Sequence, residues 1–405
     1  MQQPVQLGFS YREKVPLMTI ATIDSQSVSM DWKPEIIPKD GTLYNWPFKP
    51  LVVLKWLKDY FFAPVQLLQT VLVLVVWLFL TPSLTRMETF SWDWILTLYL
   101  RNVALLFLVT GTVHFWLYIK KGQGDKFQFN KNGLKNNDSR FWFSDQTWEN
   151  MFFGIFSGCG IWTLYEALTY WMFANNYVLF PLEWLDSPLF IIILFFLIPH
   201  IREHHFYFSH RLTHWKPLYI AAHYLHHKNT NTGPWSGFSM HPIEHLIYLS
   251  GVILHWLIPS HPIHACFHLM HAGIAPTWGH CGYGKITVNK LEIKLDNDYF
   301  HYLHHRYFEC NYGGLAVPWD RLFGTFHDGS DESKKAMSTR LRKMHRWIHK
   351  LTPFEEKVSL IEAVIFILAD AAEYSPAPPS KYAPLWNFAP VCGSRTICIW
   401  KGAGT

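Results

Sequence analysis

Three histidine groups dominate the chemistry this chain can do. They are His210-Arg-Leu-Thr-His214, His223-Tyr-Leu-His226-His227 and His301-Tyr-Leu-His304-His305. Spacings of three and four residues place side chains on one face of a helix. Nineteen of the 23 histidines fall between positions 200 and 305, about a quarter of the chain. Imidazoles gathered in this way make a metal site suited to iron, zinc or copper. Zinc takes about four ligands, so eight histidines at ligand spacing predict two metal ions.

Two further patterns, His200-Ile-Arg-Glu203-His204 and His241-Pro-Ile-Glu244-His245, match the HxxEH arrangement of inverted zinc peptidases. There the glutamate is the general base on a zinc-bound water. That reading leaves the three larger groups unexplained, and His241 or His245 joins them more simply. Six cysteines at 159, 266, 281, 310, 392 and 398 contain no CxxC pair. They form neither a disulfide framework nor a thiolate zinc site.

The elements that position these histidines must be largely apolar. Half of the 405 residues are hydrophobic, 17% are aromatic and 16% are charged, against about 25% charged in a soluble domain. The expected fold is an all-α integral membrane protein. It has about four transmembrane helices, a short re-entrant helical hairpin and a cytosolic histidine-rich cap holding a di-metal site. Spans are predicted at 64–80, 102–119 and 152–173. The fourth, at 189–198, is short and must borrow 179–188 or run on into the aromatic stretch 206–208. Residues 243–271 are cut at Pro259 and Pro262 into two arms too short to cross a bilayer. They dip in and return, or pack on the other helices.

The chain divides into a polar N-terminal arm (1–60), two spans with a basic loop (61–150), a catalytic domain (151–328) and a basic C-terminal region (329–405). The first 50 residues lack the apolar core of a cleavable signal peptide. Lysine and arginine concentrate in the arm, in 120–150 and after 200, which places both termini and every histidine group on the cytosolic side. The sequon at Asn137 then stays unglycosylated. Scattered basic residues at a net charge of +5 give no nucleic-acid footprint. The run from Lys334 to Lys350 is a solvated or headgroup-facing surface, or a docking face for an acidic partner. Residues 360–369 are expected to form an interfacial or packed helix. Intramembrane Glu166 is a candidate polar contact to substrate or a buried partner of another helix, and Arg101 is expected at the lumenal interface.

With its flanks, the pattern resembles the sterol desaturase/fatty acid hydroxylase superfamily of membrane di-iron oxygenases. The likeness rests on HxxxH at 210–214 and HxxHH at 223–227 and 301–305. It extends to Phe206-Tyr-Phe-Ser-His-Arg-Leu-Thr-His214, to 226–244 with its His241-Pro-Ile-Glu244 element, and to Asn311-Tyr-Gly313 and Trp319-Asp-Arg-Leu-Phe-Gly-Thr325. It covers about 152–328.

The resemblance implies that His210, His214, His223, His226, His227, His301, His304 and His305 hold two irons. It matches His271 and His280 to the remaining ligands, with no catalytic residue beyond the metal centre. His241 and His245 remain possible extra ligands. Asp298 and Glu203 are candidates to orient imidazoles from behind. The implied activity is O2-dependent hydroxylation or desaturation of a lipid, a sterol first and a fatty acyl, sphingolipid or alkylglycerol substrate second. Electrons would come from a separate cytochrome b5 and its NAD(P)H reductase in the endoplasmic reticulum, since no His-Pro-Gly-Gly haem motif is present. The readings from other classes are a zinc peptidase, a metal-binding or transport protein, and a catalytically silent scaffold.

Overall fold

The computed structural model describes residues 32–34, 42–44, 47 and 49–351. The expected helix at 360–369 and the tail lie outside them. Proline starts five of the main helices, where its missing N–H costs nothing and its fixed φ suits the first turn. These are α1 (Pro50–Phe61), α2 (Pro64–Phe79), α5 (Pro188–Thr213), α7 (Pro242–Leu249) and α8 (Pro262–Ile274). Imidazoles cap two of them: His241 and His261 accept the backbone N–H of Ile243 and Ile263.

Three helices are long and apolar enough to cross a membrane: α3 (Trp92–Ile119), α4 (Gln146–Ala174) and α5. A fourth span results if α1 and α2, bent by 56° at Phe62–Ala63, count as one. The second span starts ten residues earlier than the sequence suggests. The fourth takes the aromatic continuation and not the upstream segment, so Leu189 and His210 lie on one helix. Helix α1 lies inside the expected polar arm, because Leu51, Val52 and Leu54 are themselves apolar.

The segment between Pro242 and Ile274 packs inside the bundle. Every residue of α8 is buried, and the helix lies against α2, α4 and α5. Gly273 permits the close approach of α4, since a Cβ there would stand 2.5 Å from the Trp162 ring. Histidines at 261, 264, 268 and 271 share one face of α8. Burial is tolerable where they find partners: His264 Nε2 lies 2.9 Å from the Ile191 carbonyl and His268 Nδ1 3.1 Å from His255 Nε2.

Arg101 corrects an expectation. It is buried, not interfacial, and its guanidinium pairs with Glu166 across α3 and α4. Asn102 Nδ2 (3.1 Å) and the Tyr170 hydroxyl (2.9 Å) also donate to that carboxylate. Glu166 therefore serves helix packing. In hydrocarbon, such a pair satisfies groups that water cannot reach.

Beyond α5, helical turns over 216–227 form α6, followed by α7, α8, α9 (Asp296–Tyr307) and α10 (Asp331–Leu351). The fold is not wholly α. Strands β1 (Lys285–Val288) and β2 (Leu291–Lys294) form an antiparallel hairpin pairing Lys285 with Lys294. Its β-branched Ile286, Thr287, Val288 and Ile293 suit a strand, and Asn289 at φ 54° makes the turn.

Candidate metal centre

Helix α5 delivers His210 in its last turn and His214 at its C-cap. Helix α6 delivers His223, His226 and His227, and α9 delivers His301, His304 and His305. The turn Pro276–Gly279 presents His280. Nine imidazoles converge in two groups. His210, His214, His223, His227 and His304 form one; His226, His280, His301 and His305 form the other. Within each group the candidate donor atoms lie within 4.8 Å of one another, and all nine residues are buried.

The ring nitrogens face each other. His214 Nε2 lies 3.0 Å from His223 Nε2, 3.1 Å from His227 Nε2 and 3.2 Å from His304 Nε2. In the second group His280 Nε2 lies 3.1 Å from His305 Nε2 and 3.3 Å from His226 Nε2. One nitrogen cannot satisfy three others with a single proton. Donors about 3 Å apart are what a metal–nitrogen bond of roughly 2.0–2.1 Å produces at neighbouring coordination positions. His210 Nε2 and His301 Nε2 are buried without a hydrogen-bond partner, which a metal would supply.

The outward nitrogens fix the tautomer. Nδ1 of His210, His226, His280 and His304 donates to the carbonyls of Tyr312 (2.7 Å), Ser239 (3.2 Å), Pro276 (2.9 Å) and Cys310 (2.6 Å). Nδ1 of His223 donates to Glu244 Oε1 at 2.6 Å. A proton held outward leaves the Nε2 lone pair pointing inward. Burial pushes His223 down to about 3 and His226 down to about 4. Burial and neighbouring imidazoles hold His214, His227, His280, His301, His304 and His305 well below the usual histidine value. Neutral imidazoles are the form that binds metal. The donor set and its geometry fit two metal ions.

The segment after α9 sets two of these carbonyls. Asp320 accepts the N–H groups of Tyr312 (2.9 Å) and Gly313 (2.8 Å) and the Thr325 hydroxyl (2.6 Å). Asn311 Nδ2 donates to the carbonyls of Phe300 (2.9 Å) and His327 (2.8 Å). The Asn311-Tyr-Gly313 and Trp319–Thr325 motifs thus form a strap that holds the Cys310 and Tyr312 carbonyls against His304 and His210. On the other flank, Asn229 Nδ2 donates to the His226 carbonyl, while Gln146 and Asn150 of α4 both donate to Asn229 Oδ1.

Several expected residues stand elsewhere. His271 lies outside both groups, with Nδ1 unpartnered and its ring on Phe267. His241 is spent as a helix cap, and His245 Nδ1 bonds the Ser157 hydroxyl at 2.8 Å. Neither HxxEH pattern gathers a third His, Cys, Asp or Glu ligand among the described residues. Glu203 pairs with Arg202 at 2.9 Å, and none of the hydrogen bonds among the described residues joins it to an imidazole. Asp298 accepts from Cys281 Sγ (2.8 Å) and the Tyr283 N–H (3.1 Å), and burial pushes its carboxyl up to about 8. It ties the His280 turn to α9 and does not orient a ring directly. Glu244 orients a ring instead, accepting from His223 Nδ1. The signal was its place in the first turn of α7, three residues after His241.

A cavity of about 510 Å³ adjoins both groups, with His210, His223, His226, His280 and His301 in its wall. Phe206, Met240, Tyr248 and Trp278 supply apolar surface, and Trp56 and Tyr60 approach from α1.

The family model for fatty acid hydroxylase matches residues 192–325, which hold all nine grouped histidines. Over this segment the chain is similar to members of the sterol desaturase/fatty acid hydroxylase superfamily. Among superfamily members, it is 27% identical over 176 residues to Delta(7)-sterol 5(6)-desaturase of Eremothecium gossypii, covering 42% of this chain and 46% of that one. It is 28% identical over 176 residues to methylsterol monooxygenase 1 of Gallus gallus, covering 42% and 59%. Delta(7)-sterol-C5(6)-desaturase of Nicotiana tabacum matches at 28% over 127 residues, covering 30% and 45%. The chain thus spans about half the length of these curated relatives. No solved structure matches the chain significantly.

Proposed function

We propose that this protein is an integral membrane, iron- and O2-dependent oxidoreductase that hydroxylates or desaturates a C–H bond of a sterol. The observation that carries the reading is the pair of buried imidazole groups, five and four histidines, opening on one apolar cavity. The oxidoreductase class has the support of relatives named as sterol desaturases and a methylsterol monooxygenase.

His210, His214, His223, His227 and His304 would hold one iron, and His226, His280, His301 and His305 the other. Bound iron would supply the activation of O2 that attack on an unactivated C–H bond requires. The balance is one substrate C–H, one O2, two electrons and two protons giving an alcohol and one water. Desaturation removes a second hydrogen and gives two waters. The chain's own contribution is positional. Glu244 and four backbone carbonyls hold the imidazole tautomers, and the cavity wall aligns the lipid. Trp56 and Tyr60, from the bent α1–α2 pair, cover the cavity and limit access of water.

The substrate reaches the cavity from the bilayer. The site faces the cytosol of the endoplasmic reticulum, where a cytochrome b5-type donor and its NAD(P)H reductase deliver electrons. The test is metal content with a product assay. Two irons per chain should accompany an NADH-, reductase- and b5-dependent change of a Δ7-sterol by loss of two hydrogens or gain of one oxygen. One zinc, no iron and no redox-dependent product would overturn the proposal.

A further inference from the structure

In the five-histidine group, acceptors hold the outward nitrogens of three rings: the Tyr312 carbonyl for His210, the Cys310 carbonyl for His304 and Glu244 for His223. His227 is held differently. Its Nε2 faces His214 at 3.1 Å and His304 at 3.0 Å, while its Nδ1 is buried with no hydrogen-bond partner. Outside the two metal groups, the described rings against it are Phe308, at 4.8 Å between centroids and 32° between planes, and Tyr219, at 5.8 Å and 42°. Phe308 is the nearer and the more nearly parallel. Ring packing, not a hydrogen bond, sets the orientation of this imidazole.

Phe308 stands in a backbone conformation that phenylalanine rarely takes. It follows the last residue of α9 at φ 67° and ψ −52°. Its N–H donates to the His304 carbonyl at 2.6 Å, and the N–H of Glu309 donates to the Tyr307 carbonyl at 2.8 Å. A bond from one residue back to the second before it closes a γ-turn, and the positive-φ form of that turn is rare and strained. Glycine would adopt it freely and often follows the end of a helix. A bulky side chain there is an outlier that its surroundings must hold in place, and such outliers cluster where the strain serves a site.

The same turn launches the residues that hold the rest of the group. Cys310 takes His304 with its carbonyl, and Tyr312 takes His210 with its carbonyl and places its ring 4.9 Å from that of His214. The Tyr312 hydroxyl donates back to Glu309 at 2.5 Å and closes the segment on itself. Residues 308–312 therefore touch His227, His304, His210 and His214, four of the five. Among the described residues, no hydrogen bond or ring contact joins 308–312 to the four-histidine group, where the Ser239 and Pro276 carbonyls hold His226 and His280 from other segments. We infer that Phe308 is a positioning residue: its ring, presented by the strained turn, fixes the His227 imidazole, so that residues 308–312 clamp the metal ion of the five-histidine group alone. Loss of the ring then loosens one ion and not both. The inference rests on the two-metal reading of the site given above.

The test is cobalt(II) binding to the full-length, metal-free chain in detergent, followed by competition with a graded chelator. Cobalt(II) binds imidazole and needs neither O2 nor an electron donor. The unmodified chain should take up two ions. Phe308→Ala removes the ring and keeps the strain, whereas Phe308→Gly removes both. Each should weaken one ion by about 10-fold or more and leave the other unchanged, and Phe308→Gly should have the higher thermal midpoint of the two. Phe308→Tyr keeps the ring and should hold both ions. His214→Ala, which disables the five-histidine group, should leave one tight ion, and adding Phe308→Gly should not weaken that ion. Unchanged affinity for both ions in Phe308→Gly would overturn the inference. So would equal weakening of both, or weakening of the ion left in His214→Ala. Binding of a single ion by the unmodified chain would overturn the two-metal reading instead. Phe308→Gly then supports the role of the ring if it weakens that ion and overturns it if it does not.

Discussion

Glu244 Oε1 lies 2.6 Å from Nδ1 of His223, and neither side chain reaches solvent. It is the one carboxylate among the described contacts behind the grouped imidazoles; the other outward nitrogens with partners use backbone carbonyls. A carboxylate raises the basicity of the ring it orients and holds Nε2 toward the metal. Glu244→Ala should therefore lower iron affinity or turnover by about 10–100-fold, with Glu244→Gln falling between the two because its amide oxygen still accepts the proton. Iron per chain after dialysis against a graded chelator measures this. Full iron retention in Glu244→Ala would dismiss the role.

The strap after α9 should make the protein acid-sensitive through His327. Its Nδ1 accepts the Gly329 N–H at 2.9 Å, and its backbone N–H donates to Asn311 Oδ1 at 2.7 Å. Burial lowers its pKa to about 4. A histidine whose folded value lies below its unfolded value of about 6.5 stabilises the fold fully above pH 6.5. That contribution is lost as pH falls from 6.5 toward 4, because the unfolded chain takes the proton first. The loss should be on the order of 2 kcal/mol. His327→Asn retains an acceptor that does not titrate, so the fall in thermal midpoint between pH 7 and pH 4.5 should be smaller than in the unmodified chain. An unchanged pH slope would remove His327 as the cause.

How far the sequence reached follows from which interactions are local. Spacings of three and four residues report a helix face, so His210/His214, His223/His226/His227 and His301/His304/His305 were legible before any coordinate. Their division into groups of five and four was not. It depends on α5, α6 and α9 meeting, which places His304 with His210 and His301 with His226. Family likeness pointed to both His271 and His280; His280 joins the second group, whereas His271 lies outside both. Glu203 and Asp298 were chosen for nearness in sequence. A hydrogen bond behind a ring is a tertiary contact, and the residue that makes it, Glu244, is 21 positions from His223. The spans were visible from hydropathy, whereas their ends were set by packing. His210 and His214 at the end of α5 are polar groups that only a buried partner network admits there.

Arg101 and Glu166 should behave as a matched pair. Removing one partner leaves the other charge buried in an apolar span, which costs about 3–5 kcal/mol. Arg101→Met or Glu166→Leu alone should therefore lower the thermal midpoint in detergent sharply. The double variant should recover most of the loss, since a well-packed apolar replacement is often neutral. Additive losses in the double variant would show that the two side chains act independently, against the shared hydrogen bonds seen with Asn102 and Tyr170.

The basic run on α10 is not uniform, and that separates docking from folding. Arg340 is buried and donates to the Glu309 carbonyl next to Cys310, so it belongs to the strap and not to an outward face. Lys335 and Arg342 are exposed. If an acidic electron donor approaches this surface, Lys335→Glu with Arg342→Glu should slow donor-dependent turnover several-fold at low salt and flatten its dependence on ionic strength. Exposed charges act over roughly 10 Å at 0.1 M salt and are screened beyond that. Iron content and thermal midpoint should not move. Arg340→Met should do the opposite, lowering the midpoint and the iron content together at every salt concentration. Turnover with a chemical reductant in place of the protein donor separates the two cases, because a docking defect disappears there and a strap defect persists. Unchanged salt dependence in the double reversal would place the donor on another face.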